Sequence, residues 1–270
     1  MHLELPTNID DVIRLTDEVI RLSIERKSRH GYFAAAYKHV TITIQALLKQ
    51  KGYFHAPDRI EALDVAFARR YMTGVFEDFG MPIGGEGITP PWRASFATLA
   101  DDNMAIMQHL MTGVTVHVHY DLGIATAQGN PGAELQQVEH DFAQLNKVFS
   151  VLGTVLMEEL AAVSPAIKLL NDIPAFIERP MFFITSVLMR QDSWGFAEQL
   201  APLPQRDWVA LVAQRMDQTI SLVDDIAHPP ALIADILQKI AESEEQDVVK
   251  VIEAINQRAH VPFDHRVLPT

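Results

Sequence analysis

Gln108-His109-Leu110-Met111-Thr112-Gly113-Val114-Thr115-Val116-His117-Val118-His119-Tyr120-Asp121-Leu122-Gly123 is the stretch on which the reading of this chain turns. As a helix it sets His109, Gly113, His117 and Asp121 at successive i, i+4 steps, one above another on a single face. His119 points to nearly the opposite side. A ladder of imidazole, bare backbone, imidazole and carboxylate predicts the floor of a polar site inside an apolar bundle. Gly113 weakens such a helix by up to about 1 kcal/mol relative to alanine. A substrate or another helix passing close to the backbone would justify it.

Working outward, helical signals continue in both directions. Asn8 caps a helix whose apolar residues Ile9, Val12, Ile13, Val19, Ile20 and Ile24 recur at helical spacing. A second helix runs over 31–51 and stops at Gly52, and Pro57 opens a third that reaches towards Phe79. Residues 80–91 hold four glycines and three prolines and read as a flap or lid. The ladder helix spans 103–127, Gln128-Gly129-Asn130-Pro131 turns, and a long helix follows to about residue 163. Further helices are predicted over 181–200 and 204–227, with a charged, weaker helical region after Pro229-Pro230. Residues 258–270 read as a loose or docked tail. The β-branched residues fall into helical patterns, so the expected fold is all-α. We read residues 1–270 as a single-domain multi-helix bundle with two long central antiparallel helices.

Composition narrows the function. Of 270 residues, 48% are hydrophobic, enough for a substantial core. The formal charge of −13 argues against broad nucleic-acid binding and against docking on anionic lipid. No cysteine is present, which removes disulfides, thiolate nucleophiles and Cys-type zinc sites. No apolar run approaches the roughly 20 residues a membrane-spanning helix needs. Acids run through the apolar pattern of the first 25 residues, so no secretion signal is read and a cytoplasmic protein is expected. A homodimer is allowed on general grounds only.

Distances decide what the ladder can do. At about 1.5 Å rise per residue, His109 and His117 lie about 12 Å apart and cannot share an ion. His117 and Asp121 can. If the helices over 103–127 and 131–163 fold back about residue 128 or 129, His117 lies level with His140 and Asp141. One divalent ion (Zn²⁺, Fe²⁺ or Mn²⁺) held by His117 and Asp121 together with Asp141 or His140 is then expected, in the way helix bundles build metal sites. An ordinary pair that fixes an imidazole, or a metal-free acid–base dyad, fits the same spacing.

Candidate catalytic residues are therefore His109, His117 and Asp121. Gly113, Tyr37, Arg70, Arg93 and Arg190 are candidate substrate contacts, because an arginine among apolar residues needs a partner or an anionic ligand. Met104, Met107, Leu110, Met111, Phe142 and Phe149 suggest walls for a small molecule with an apolar part. Two readings follow. One is an enzyme, such as a metal-dependent hydrolase of esters or phosphoesters or a metal-dependent oxygenase. The other is a non-catalytic module that binds an apolar small molecule by a polar anchor.

Several segments carry a family resemblance: Ser28-Arg29-His30-Gly31-Tyr32-Phe33, Arg70-Tyr71, Trp92-Arg93-Ala94-Ser95-Phe96, the ladder from Gln108 to Ala125, and Asp141-Phe142 with Asn146. The chain resembles a bacterial family catalogued as a domain of unknown function, which implies a helical fold and no particular activity. In the spacing of His117 and Asp121 alone it is similar to zinc-dependent phospholipase C and the P1-type nucleases. Those enzymes also use an N-terminal tryptophan and an HxxxE pair, and this chain has neither.

Overall fold

In a computed structural model, residues 3–172 and 185–257 are described, and those residues contain helices and no strand. The tail over 258–270 and the first part of the helix expected over 181–200 lie outside them. Helix α1 (Ile9–Arg26) starts where expected, with the Asn8 side chain accepting the Asp11 amide at 2.9 Å. It ends at Lys27, which takes the left-handed conformation at φ 52°. Helix α2 spans His30–Leu48, and Gly52 follows it at φ 82°. Helix α3 (Pro57–Asp78) opens on its proline, and α4 (Pro90–Thr98) follows the glycine-rich loop.

The ladder helix is continuous but not uniform. It begins as α5 (Ile106–Thr115), widens into a π-helix over Val116–Leu122 and closes as α6 (Gly123–Gly129). A π turn leaves backbone carbonyls short of well-aligned amide donors, and π segments concentrate at functional sites. Neighbouring helices supply donors here. Ser193 Oγ, on α8 (Thr185–Leu200), lies 2.6 Å from the Val118 carbonyl oxygen. Arg215 Nε, on α9 (Val209–Ala227), donates to the His119 carbonyl at 2.7 Å. Gly123 permits the α8 crossing, because a Cβ there would sit 2.8 Å from the Ser193 carbonyl oxygen.

The next stretch departs from expectation. Pro131 leads into a 3₁₀ segment (Gly132–Val138), and only then does α7 (Glu139–Val163) begin. The 3₁₀ winding breaks the hairpin register assumed for 103–127 against 131–163. Helix α7 packs mainly on α2, on α8 and on the last helix, α11 (Val248–Asn256). Helices α2, α3, α4, α8 and α9 surround the ladder instead. Helix α10 (Ala231–Ser243) leads to the buried Glu244, which accepts the Ile106 amide at 2.8 Å and the Ser164 hydroxyl at 2.6 Å. That acid ties the start of α5 to the end of α7. The main core lies among α1, α2, α3, the ladder and α7. No helix among the described residues is long and apolar enough to cross a membrane.

Candidate functional site

Asp121 is the polar centre of the bundle and is fully buried. Its Oδ1 accepts Arg70 Nε from α3 at 2.8 Å, and its Oδ2 accepts Trp92 Nε1 from α4 at 2.8 Å. The same Oδ2 lies 3.2 Å from His117 Nδ1. A carboxylate only accepts, so Nδ1 carries the hydrogen and Nε2 keeps its lone pair. The sequence pairing of His117 with Asp121 is present, and Arg70 joins it. Sequence reasoning overlooked Trp92 as the second donor. It had turned Arg93 inward, whereas the phase of α4 leaves Arg93 exposed and buries Trp92 completely.

His117 lies in an aromatic box. Phe67 stacks on it with centroids 3.5 Å apart and planes 6° from parallel. Tyr37 meets it edge-on at 5.0 Å, and Phe33, Tyr71 and Trp92 close the other sides. Burial lowers the His117 pKa, against the opposing pull of Asp121, so the ring is neutral in ordinary buffers. Its Nε2 has no hydrogen-bond partner among the described residues, and neither do the hydroxyls of Tyr37 and Tyr71. Buried polar atoms of this kind normally find partners, and leaving one without costs about 1–3 kcal/mol.

Phe67 has a second neighbour. With Leu122 and Phe142 it lines a cavity of about 20 Å³, room for roughly one water molecule. Most of the lining is apolar, with contributions from Ile44, Leu63 and Phe149. Three polar side chains reach it: Asp64, Asn146 and Arg190. Arg190 is 2% exposed. It donates from Nε to Asn146 Oδ1 at 2.8 Å and lies over the Phe149 ring at 4.8 Å. No carboxylate pairs with it among the described residues, and burial lowers its pKa to about 10. Asp64 is equally enclosed, and its Oδ2 has no partner among the described residues. Burial, with a smaller contribution from Glu61, raises its pKa to about 7.

Arg190 was legible as a candidate and Asp64 was overlooked. The signal for Asp64 existed. Ile60, Leu63, Phe67 and Tyr71 form the buried stripe of α3, and Asp64 falls on that stripe. A lone acid at a core position is a sharper clue than an arginine within a helix.

The remaining candidates disperse. Gly113 makes room for a helix, not for substrate: a Cβ there would lie 2.8 Å from the Phe33 ring of α2. His109 is buried near Tyr32, with ring centroids 6.2 Å apart, and burial lowers its pKa to about 4. It does not contact His117. His140 is exposed, and Asp141 accepts the backbone amides of His55 and Ala56 at 2.8 and 2.7 Å, ahead of α3. The expected metal centre of His117 and Asp121 with Asp141 or His140 therefore does not assemble. The 3₁₀ segment carries His140 and Asp141 away, and Asp121 already has three donors, one of them a cation. An ion beside Arg70 would meet like charge.

A second hollow of about 220 Å³ lies outside Arg70, beneath the glycine-rich loop. Its wall includes Arg69, Thr73, Gly85, Glu86 and Thr89. Glu86, exposed on that loop, approaches Arg70 Nη1 at 3.6 Å. Gly85 and Gly87 hold φ of 91° and 78°, so the loop's path requires glycine at both. The flap expected over 80–91 thus closes one flank of the site.

Residues 9–229 match DUF5995, a family of unknown function, and the chain belongs to that family. No curated protein and no solved structure matches the chain, so the likeness to zinc-dependent phospholipase C rests on nothing beyond the spacing of His117 and Asp121.

Proposed function

We propose that this member of the DUF5995 family binds a small molecule that joins an apolar body to an anionic head, in the cavity between α2, α3, α7 and α8. The observation that carries this reading is Arg190, a buried cation that no carboxylate pairs with among the described residues, on a largely apolar cavity. A buried charge without a counterion is costly, and a ligand carboxylate would relieve that cost. Below pH 7 Asp64 is protonated and offers a hydrogen to the same head group. The cavity is small when closed, so entry requires Phe67 and Phe149 to turn aside, as in pockets that a ligand makes dominant. The half-exposed Val40, Asn146 and Phe149 mark the side of entry.

Decanoate, with decanol of equal length as its uncharged counterpart, tests the reading by calorimetry on protein stripped of lipid. Decanoate is expected to bind one to one, and Arg190→Met to weaken it by about tenfold or more while leaving decanol unchanged. Equal decanoate binding by parent and variant, or no binding to the folded parent at millimolar ligand, overturns it.

One observation favours a catalytic extension. Asp121 fixes His117 by Nδ1 and leaves Nε2 bare, the arrangement of a general base. Hydrolysis of an apolar ester fits such a base. Turnover of p-nitrophenyl decanoate that vanishes in His117→Gln, with decanoate binding intact, supports the extension. Turnover equal in the two proteins removes it.

A further inference from the structure

Two of the residues expected at Asp121 meet a different imidazole. His55 lies in the turn before α3, and His140 and Asp141 open α7. One ligand atom from each falls within 4.8 Å of the other two. The rings of His55 and His140 lie face to face, with centroids 4.0 Å apart and planes 4° from parallel. Both rings are exposed, whereas Asp141 is fully buried.

The carboxylate is held in place before any ion arrives. Two backbone amides occupy two of its roughly four lone-pair directions, and the others remain available. Gln144 lies 3.2 Å from His140 Nε2 and orients that ring. Arg59, one turn into α3, is occupied by Asn130 and Glu134 at 3.0 Å each. No cation pairs with Asp141 among the described residues.

We infer that His55, His140 and Asp141 form a binding site for one divalent transition-metal ion, with Zn²⁺ the best match. Two imidazole nitrogens and one carboxylate oxygen are the donors borderline ions prefer, and three protein ligands leave a position for water. Turning the two exposed rings from face contact to convergent lone pairs disturbs no core packing. The ion would clasp the α2–α3 turn to the start of α7, joining segments 85 residues apart in sequence. This site stands apart from the Arg190 cavity and does not depend on it.

Zinc chloride titrated into chelator-treated full-length protein, followed by calorimetry and thermal unfolding, provides the test. One equivalent is expected to bind and to raise the melting temperature. His55→Ala and His140→Ala should each weaken binding by at least about tenfold. His228→Ala removes an exposed histidine that pairs with Asp224 and should change nothing. Asp141 is left intact, because its loss would uncap α3. No uptake by the parent overturns the inference. So does unchanged uptake in both the His55 and His140 variants, or equal loss in the His228 variant.

Discussion

Two buried aspartates have opposite circumstances: Asp121, paired with the imidazole that stacks on Phe67, and Asp64, which shares a cavity wall with that ring. Asp121 meets three side-chain donors and lacks nothing. Asp64 is as deeply enclosed, yet one of its oxygens meets no donor among the described residues. The same contrast holds for the arginines. Arg70 pairs with Asp121, whereas among the described residues Arg190 meets Asn146 and the Phe149 ring and no carboxylate. Saturation identifies a brace, and unmet hydrogen-bonding capacity identifies a place prepared for something else. By that measure the sequence's favoured pair is largely structural in its acid, and the proposed ligand site lies one ring away.

The sharpest way to break this contrast is to remove the brace. Asp121→Ala would strand Arg70, Trp92 and His117 and is expected to cost about 3–5 kcal/mol, measured by urea unfolding. A loss below about 1 kcal/mol would mean that Asp121 braces nothing.

The second test uses pH. Between about 4 and about 7, folded Asp64 keeps a proton that the unfolded chain, with its carboxyl near 3.8, has lost. Its contribution to stability therefore falls as pH rises through that window and is flat above it. Asp64→Asn should gain on the parent from pH 4 to pH 7. About three pH units at about 1.4 kcal/mol each sets the scale at roughly 4 kcal/mol. Urea curves at pH 4.5, 6 and 8 read the difference, and a constant offset would show that Asp64 ionises normally.

The third effect is smaller and of opposite sign to the first. Arg190→Met, in protein free of ligand, is expected to raise stability by about 1–2 kcal/mol, because it removes a buried charge that no acid among the described residues compensates. A destabilisation of similar size would make Arg190 a second brace and erase the contrast.

Most of the helices were legible because caps and apolar periodicity are local. Asn8 and Pro57 mark boundaries that the chain respects, while α2 ends at Leu48, three residues short of the expected stop, and Gly52 lies in the turn that follows. The ladder face was legible too: Gly113 and His117 both look onto α2, through Phe33 and Tyr37. What failed was arithmetic that assumed regular winding across 103–163. A π segment and a 3₁₀ segment change the rise and the phase, so residues counted as level are not. His55 had no local signal, since its partners are Asp141 and His140, far along the chain. Trp92 and Arg93 differ by one position, and the phase of a nine-residue helix cannot be set that finely from pattern alone.

The wide-turn stretch over Val116–Leu122 makes the number of residues at one point a determinant of architecture. Such a stretch amounts to ordinary helix carrying a surplus amino acid. Excising one, Val118 for instance, would restore regular winding and leave the flanking turns close to their present phase. The carbonyls that now accept from Ser193 and Arg215 would instead be taken up by the helix's own amides. A one-residue change of length, harmless in most surface connections, is thereby felt at the middle of this molecule as two donors deprived of an acceptor.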